Sequence, residues 1–372
     1  MTSNYLIVDA HEDLAFNMLA FGRDYSRPAV ETRRLEQDTE IPLRNGDTLL
    51  GWDDYQAGQV GVIFSTQFAS PRRSPPGGWD SQVYRDFEEA NHLYWNQIEQ
   101  YQRFVGQHPD QFRLVKRQAD LKEVLAYWRA PLPAPKEAEE KKNGCPVGMV
   151  ILMEGAEGVR APSELEAWWE AGVRIIGPAW LGTRYCGGTS EPGPMTSAGW
   201  ALLEAMQAIG FTLDISHMDE KAALQALDGY SGRVIASHAN AMALLHGIDN
   251  NRHLSTPVIE KLAARQGVMG IVPFNPFLMV GWKASDGKKA VSLESAAAHI
   301  DFVCQLVGDA HHVGLGSDFD GGPSYQSTPK EINTIADLQQ LAPLLHQKGY
   351  SEADTAAIFG QNWLTFLEQT LP

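Results

Sequence analysis

Val313-Gly-Leu-Gly-Ser-Asp-Phe-Asp-Gly-Gly322 is a short apolar run that ends in glycines and two carboxylates. The run reads as a buried strand, and Asp318 falls where that strand gives out. An unpaired charge in an apolar strand costs several kcal/mol, so Asp318 needs a cation, a proton or water beside it. The same pattern occurs seven more times upstream, at Leu6–Asp13, Val60–Gln67, Val147–Glu154, Val173–Trp180, Thr212–His217, Arg233–His238 and Gly267–Phe274. These runs are continuously Val/Ile/Leu-rich rather than alternating, which predicts burial on both faces and a parallel sheet. Helical segments are expected between them at Ser81–Val105, Ala119–Trp128, Pro162–Ala171, Ala198–Ile209, Asp219–Leu227, Thr256–Arg265 and Leu293–Leu306. Eight strands alternating with helices predict an α/β fold, a (β/α)8 TIM barrel, with a doubly wound sheet as the alternative. Helices expected after Pro329 and after Ser351 would pack outside the barrel or across one end.

The 372 residues suit one barrel of roughly 250 residues with insertions, read as a single domain over 1–372. Hydrophobic residues make up 44%, enough for a large core. Residues 22–55 are charged and turn-marked, an excursion between the first two strands. Residues 129–146, with Pro-Leu-Pro-Ala-Pro followed by a charge run, read as a surface insertion without chemistry. A net charge of −16 argues against nucleic acid or an anionic membrane as partner. Three cysteines without a CxxC suit a reducing cytosol. With no signal-peptide pattern and no bilayer-length apolar run, a cytoplasmic protein is expected.

Polar residues gather at the ends of five strands: His11 and Asp13, Glu154, His217, His238 and Asp318. In a TIM barrel that rim is where active sites form. A lone histidine at a strand end is most often a hydrogen-bonded loop residue. Three of the eleven histidines at strand ends, beside three carboxylates, point instead to one N/O ligand set. Six such groups exceed the needs of one tetrahedral ion, so two metals sharing a carboxylate are expected. No HExxH, GxSxG or P-loop motif is present.

His11-x-Asp13, Glu154-Gly, Ser-His217, Ser-His238, Gly-x-Asp318-Phe-Asp-Gly and the closing Gly360-Gln-Asn-Trp-Leu364 together resemble the membrane (renal) dipeptidase family of zinc metallopeptidases. The resemblance spans nearly the whole chain. It implies a barrel of the metallo-dependent hydrolase type, two Zn2+ ions per chain, a small dipeptide substrate and a possible homodimer. It also implies that His11 and Asp13 hold one metal, His217 and His238 the other, and that Glu154 bridges them. Asp318 takes the place of the acid/base carboxylate, and Arg252 that of the arginine holding the substrate carboxylate. Where better-known members have a substrate-contacting histidine after the fourth strand, this chain has Trp180, with Arg184 or Tyr185 as candidate donors. Where they have a tyrosine after the seventh, it has Phe274. A metal lowers the pKa of water from about 15.7 to about 7, or roughly 12 kcal/mol at about 1.36 kcal/mol per unit. A carboxylate base supplies about 10²–10⁴-fold, so the metals are expected to dominate. The altered pocket leaves open a second hydrolase reading, a cyclic amide, lactone or N-acyl amino acid as substrate, and a non-catalytic binding barrel as a third.

Overall fold

The computed structural model describes residues 5–75, 77–129, 144–248 and 250–372. Most of the segment read as an insertion, 130–143, lies outside the described residues. Eight parallel strands form the barrel: β1 Ile7–Glu12, β2 Val60–Gln67, β3 Val147–Glu154, β4 Val173–Gly177, β5 Thr212–Asp214, β6 Val234–Ile235, β7 Met269–Ile271 and β8 Val313–Leu315. Their order around the sheet is β6-β5-β4-β3-β2-β1-β8-β7. A parallel bridge between Ala236 and Met269 joins β6 to β7 and closes the ring. The doubly wound alternative is therefore set aside. A ninth short strand, Phe112–Leu114, pairs with β3 outside the ring.

The last four strands are shorter than their apolar runs. After β5 and β8 the backbone leaves the extended region at His217 and Asp318, with φ of 66° and 59°. The runs thus end in loops that turn polar side chains across the mouth. Helices connect the strands as expected: α1 Leu14–Phe21, α2 Phe87–Gln107, α3 Gln118–Arg129, α4 Leu165–Ala171, α5 Ser197–Ile209, α6 Glu220–Gly229, α7 Thr256–Ala264 and α8 Leu293–Val307. The α2 helix starts later than its amphipathic pattern suggests, because the Asp86 carboxylate accepts the N–H groups of Glu88 and Glu89 and sets the cap there. Thr196 and Asp219 cap α5 and α6 in the same way. The excursion contains three short helices, Ala29–Glu36, Ile41–Asn45 and Trp52–Gly58. The glycine-rich stretch after β4 forms an antiparallel hairpin, Cys186–Gly188 with Glu191–Met195, which its apolar pattern did not indicate.

The barrel is filled by one face of its strands. Val8, Ala10, Val62, Phe64, Val150, Leu152, Ile175 and Ile235 share one apolar cluster with Trp363 and Leu364 of the C-terminal helix α9, Asn362–Thr370. Trp363 packs edge-on against Phe64 at 5.3 Å and donates its indole N–H to the Leu315 carbonyl. The C-terminal helix thus belongs to the core. Burying two such aromatic rings is worth several kcal/mol at about 25 cal/mol per Å² of apolar surface.

Candidate active site

Each polar residue singled out at a strand end reaches one mouth of the barrel. His11 lies within β1 and is fully buried; Asp13 follows the strand and begins α1. Glu154 ends β3, while His217, His238 and Asp318 lie in the loops after β5, β6 and β8. One Glu154 carboxylate oxygen, Oε1, lies 3.0 Å from His217 Nε2, 3.3 Å from His238 Nε2 and 3.7 Å from His11 Nε2. His11 Nε2 also lies 3.9 Å from both Asp13 Oδ2 and Asp318 Oδ1. Two overlapping groups result, one of His11, Glu154 and His238 and one of His11, Asp13 and Asp318. His217 joins the first, its Nε2 being 3.0 Å from that of His238.

Burial decides the charge states. His11, His217 and His238 have pKa values well below the imidazole range, from desolvation first and then from the Arg252 cation and neighbouring rings. They are neutral and free to offer a lone pair. Asp13 and Glu154 are pushed well above the carboxylate range by burial and by each other's neighbours, and Asp318 is pushed up to about 7. Neutral imidazoles beside crowded carboxyls are the environment that a divalent cation stabilises. Two atoms bear this out: His11 Nε2 and Asp13 Oδ1 are buried without a hydrogen-bond partner. The donor set fits one or more divalent metal ions.

Hydrogen bonds behind the site aim the rings. The Ser237 hydroxyl donates to Asp214 and accepts from His238 Nδ1 at 2.8 Å, which leaves His238 Nε2 facing the cluster. Thr189 Oγ1 lies 2.9 Å from His217 Nδ1 and fixes that ring likewise. Ser237 entered the sequence reading only as the neighbour of His238 and Asp214 not at all, because Ser and Asp in apolar strands have no spacing signature of their own. Gly321 is required here, since a Cβ would collide with the carboxylates of Asp13 and Asp318.

The sequence matches the model of one family, membrane dipeptidase (Peptidase family M19), over residues 1–371. The chain belongs to the membrane dipeptidase family. It is a metal-dependent peptidase of the dipeptidase type. An uncharacterized protein in the pqqA 5' region of Klebsiella pneumoniae is 31% identical over 264 residues, covering 67% of this chain and 93% of that protein. Dipeptidase tcpJ of Claviceps purpurea is 28% identical over 231 residues, 60% of this chain and 51% of its own length. A metallo peptidase from Rhodobacter sphaeroides, solved with a phosphinate mimic of the dipeptide L-Ala-D-Ala, shares the fold at a TM-score of 0.75 and 20% identity, over 99% of this chain and 100% of that one.

In this dipeptidase family member a cavity of about 730 Å³ opens over the ligand set. Asp13, Glu154, His217, Asp318, Arg252, Trp180 and Phe274 line it. Arg252 is buried; one N–H donates to the His238 carbonyl at 3.0 Å, while Nε and Nη1 have no partner. Arg184 and Tyr185 correct the expectation, for neither lines the cavity. The Arg184 guanidinium is engaged by the carbonyls of Glu157 and Val159 and lies over the rings of Phe87 and Tyr185. The Tyr185 hydroxyl donates to the Val159 carbonyl. Arg184 Nη2 and the Tyr185 hydroxyl are thus spent on carbonyls of the loop after β3, while Arg184 Nε is buried without a partner and away from the cavity. Residues absent from the sequence reading also line the cavity, among them Phe16, Phe68 and Phe277, and so does Asp320 of the quoted Asp318-Phe-Asp-Gly motif. Phe16 and Phe277 sit on helices whose apolar residues look like ordinary core.

Proposed function

We propose that the protein hydrolyses dipeptides with a free carboxylate at a site holding two Zn2+ ions per chain. The observation that carries this reading is the single Glu154 oxygen within 3.7 Å of all three imidazole Nε2 atoms, beside the unpartnered Asp13 Oδ1. His11 and Asp13 would hold one ion and His217 and His238 the other, with Glu154 available to both. Bound divalent ions lower the pKa of water and polarise a carbonyl as Lewis acids. The chain's own residues do the rest. Asp318, with a carboxyl near neutrality, takes the proton of the attacking water and delivers it to the departing amine nitrogen. Arg252 presents its two unpartnered N–H groups to the substrate carboxylate, a pairing that suits its planar fork. A dipeptide places a free carboxylate one residue beyond the scissile bond, which limits substrates to short chains.

The same reading takes 1–372 as one domain. Both ends support it, since Tyr5 hydrogen-bonds Gln339 and the Gln118 N–H bonds the Pro372 carbonyl. It also includes a homodimer and a cytoplasmic setting, which a sequence with three cysteines and no CxxC suits. No helix among the described residues is long and apolar enough to cross a membrane. The test is elemental analysis joined to a dipeptide panel. Two zinc ions per chain and metal-dependent hydrolysis of dipeptides, but not of their amides, are expected. Absence of stoichiometric metal after zinc addition would end the proposal.

A further inference from the structure

Beyond the ligand set the cavity is lined by polar residues such as Asn45, Ser190 and Asn250, by Trp79, and by two aromatic groups. On one side Phe16 lies 5.8 Å from Phe68, and Phe68 meets Trp180 edge-on at 5.0 Å. The Trp180 ring reaches to 6.3 Å from that of His217. On the other side Phe274 and Phe277 pack edge to face at 4.9 Å, and the Arg252 guanidinium lies 5.1 Å from the Phe277 ring. The wall charges are already engaged. Asp320 accepts from Arg23, Tyr25, Thr48 and the Leu49 N–H, and Arg44 pairs with Glu40 one turn earlier. A charged substrate side chain entering this space would lose hydration and meet no free opposite charge. A volume of about 730 Å³ is also more than two small side chains fill.

We infer that the substrates are dipeptides with a bulky apolar side chain on each residue, read by two separate walls. The order follows from Arg252. The residue whose carboxylate it holds must present its side chain to Phe274 and Phe277, which adjoin that guanidinium. The amino-terminal residue then faces Phe16, Phe68 and Trp180, beside the His217 end of the ligand set. This rests on the dipeptidase reading above.

The experiment measures kcat/KM of the zinc-loaded enzyme on Ala-Ala, Phe-Ala, Ala-Phe, Glu-Ala and Lys-Ala, each in L,L and L,D forms. Phe-Ala and Ala-Phe exceed Ala-Ala by at least about ten-fold, mainly through KM, as apolar contacts of this size allow. Glu-Ala and Lys-Ala fall below Ala-Ala. Trp180→Ala lowers the Phe-Ala to Ala-Ala ratio about ten-fold and moves the Ala-Phe ratio far less; Phe274→Ala does the reverse. Because each variant is read as a ratio on one preparation, partial loss of folded protein does not affect the result. Ala-Ala cleaved as well as the aromatic substrates, or both variants lowering the two ratios alike, would overturn the inference while the dipeptidase reading stands. A metal-replete enzyme that cleaves none of the five would take down that reading and this inference with it.

Discussion

The two sides of the barrel mouth are built alike and finished differently. On the β1–β8 side, buried Asp9 accepts the N–H and hydroxyl of Ser317 from the neighbouring strand. On the β5–β6 side, buried Asp214 accepts the N–H and hydroxyl of Ser237 in the same way. From there they diverge. Ser237 passes the contact on to the His238 ring, and Thr189 holds His217, so the imidazoles of that side are aimed by the protein itself. Ser317 instead accepts the Phe319 N–H, leaving the carboxylates of Asp13 and Asp318 to crowd around His11. The difference separates a side whose rings are aimed by hydroxyls from a side where carboxylates crowd around one ring, His11, whose Nδ1 also lies 3.3 Å from Ser237 Oγ. Like charges in one buried place keep a proton near neutrality, whereas a ring fixed through its far nitrogen makes a good ligand.

The largest effect expected from this division is at Asp318. Asp318→Asn should lower kcat by about 10²–10⁴-fold while metal content, read by elemental analysis, stays at the wild-type value. Loss of a metal in that variant would break the division, because Asp318 would then be a ligand beside His11 and Asp13 and not the proton carrier. Next comes Ser237→Ala. It should weaken metal affinity about 10–100-fold, as loss of a hydrogen bond behind a ligand does, whereas Ser317→Ala should leave affinity nearly unchanged. Calorimetric titration of both variants checks this, and equal losses would show the two sides to be equivalent.

The smallest effect concerns acid. His299 Nδ1 accepts the Ala241 N–H at 3.2 Å, three residues beyond His238, and burial lowers its pKa to about 4. The unfolded chain binds this proton near pH 6.5 and the folded chain does not until about pH 4. Stability is therefore lost as pH falls across that window. His299→Asn keeps an acceptor and removes the titration, so the decline between pH 6.5 and 4.5 should shrink by about 1–2 kcal/mol. Urea denaturation at the two pH values measures it. An unchanged slope would mean that the neutral ring is not part of what steadies the β5–β6 side.

Much of this was legible beforehand because strand burial and ligand chemistry both leave marks in residue type. Eight apolar runs gave eight staves, and the six groups at their ends converge on one rim. The hairpin after β4 was not legible, since Cys186-Gly-Gly and Glu191-Pro-Gly carry no alternating pattern. That Arg184 and Tyr185 lie outside the cavity lining was not legible either, because the carbonyls of Glu157 and Val159 that draw Arg184 Nη2 and the Tyr185 hydroxyl away are brought close only by folding.

The sequence alone determined the barrel and the family and marked the candidate ligand residues, because continuous apolar runs and the choice of His, Asp and Glu are properties of single positions. Tertiary structure alone decided that one oxygen of Glu154 faces three imidazoles, that Ser237 aims His238, and that aromatic rings from α1 and the segments after β2, β4 and β7 wall the cavity. Those are distances between residues far apart in the chain. Only closure of the ring, through the Ala236–Met269 bridge, brings them within reach of one another.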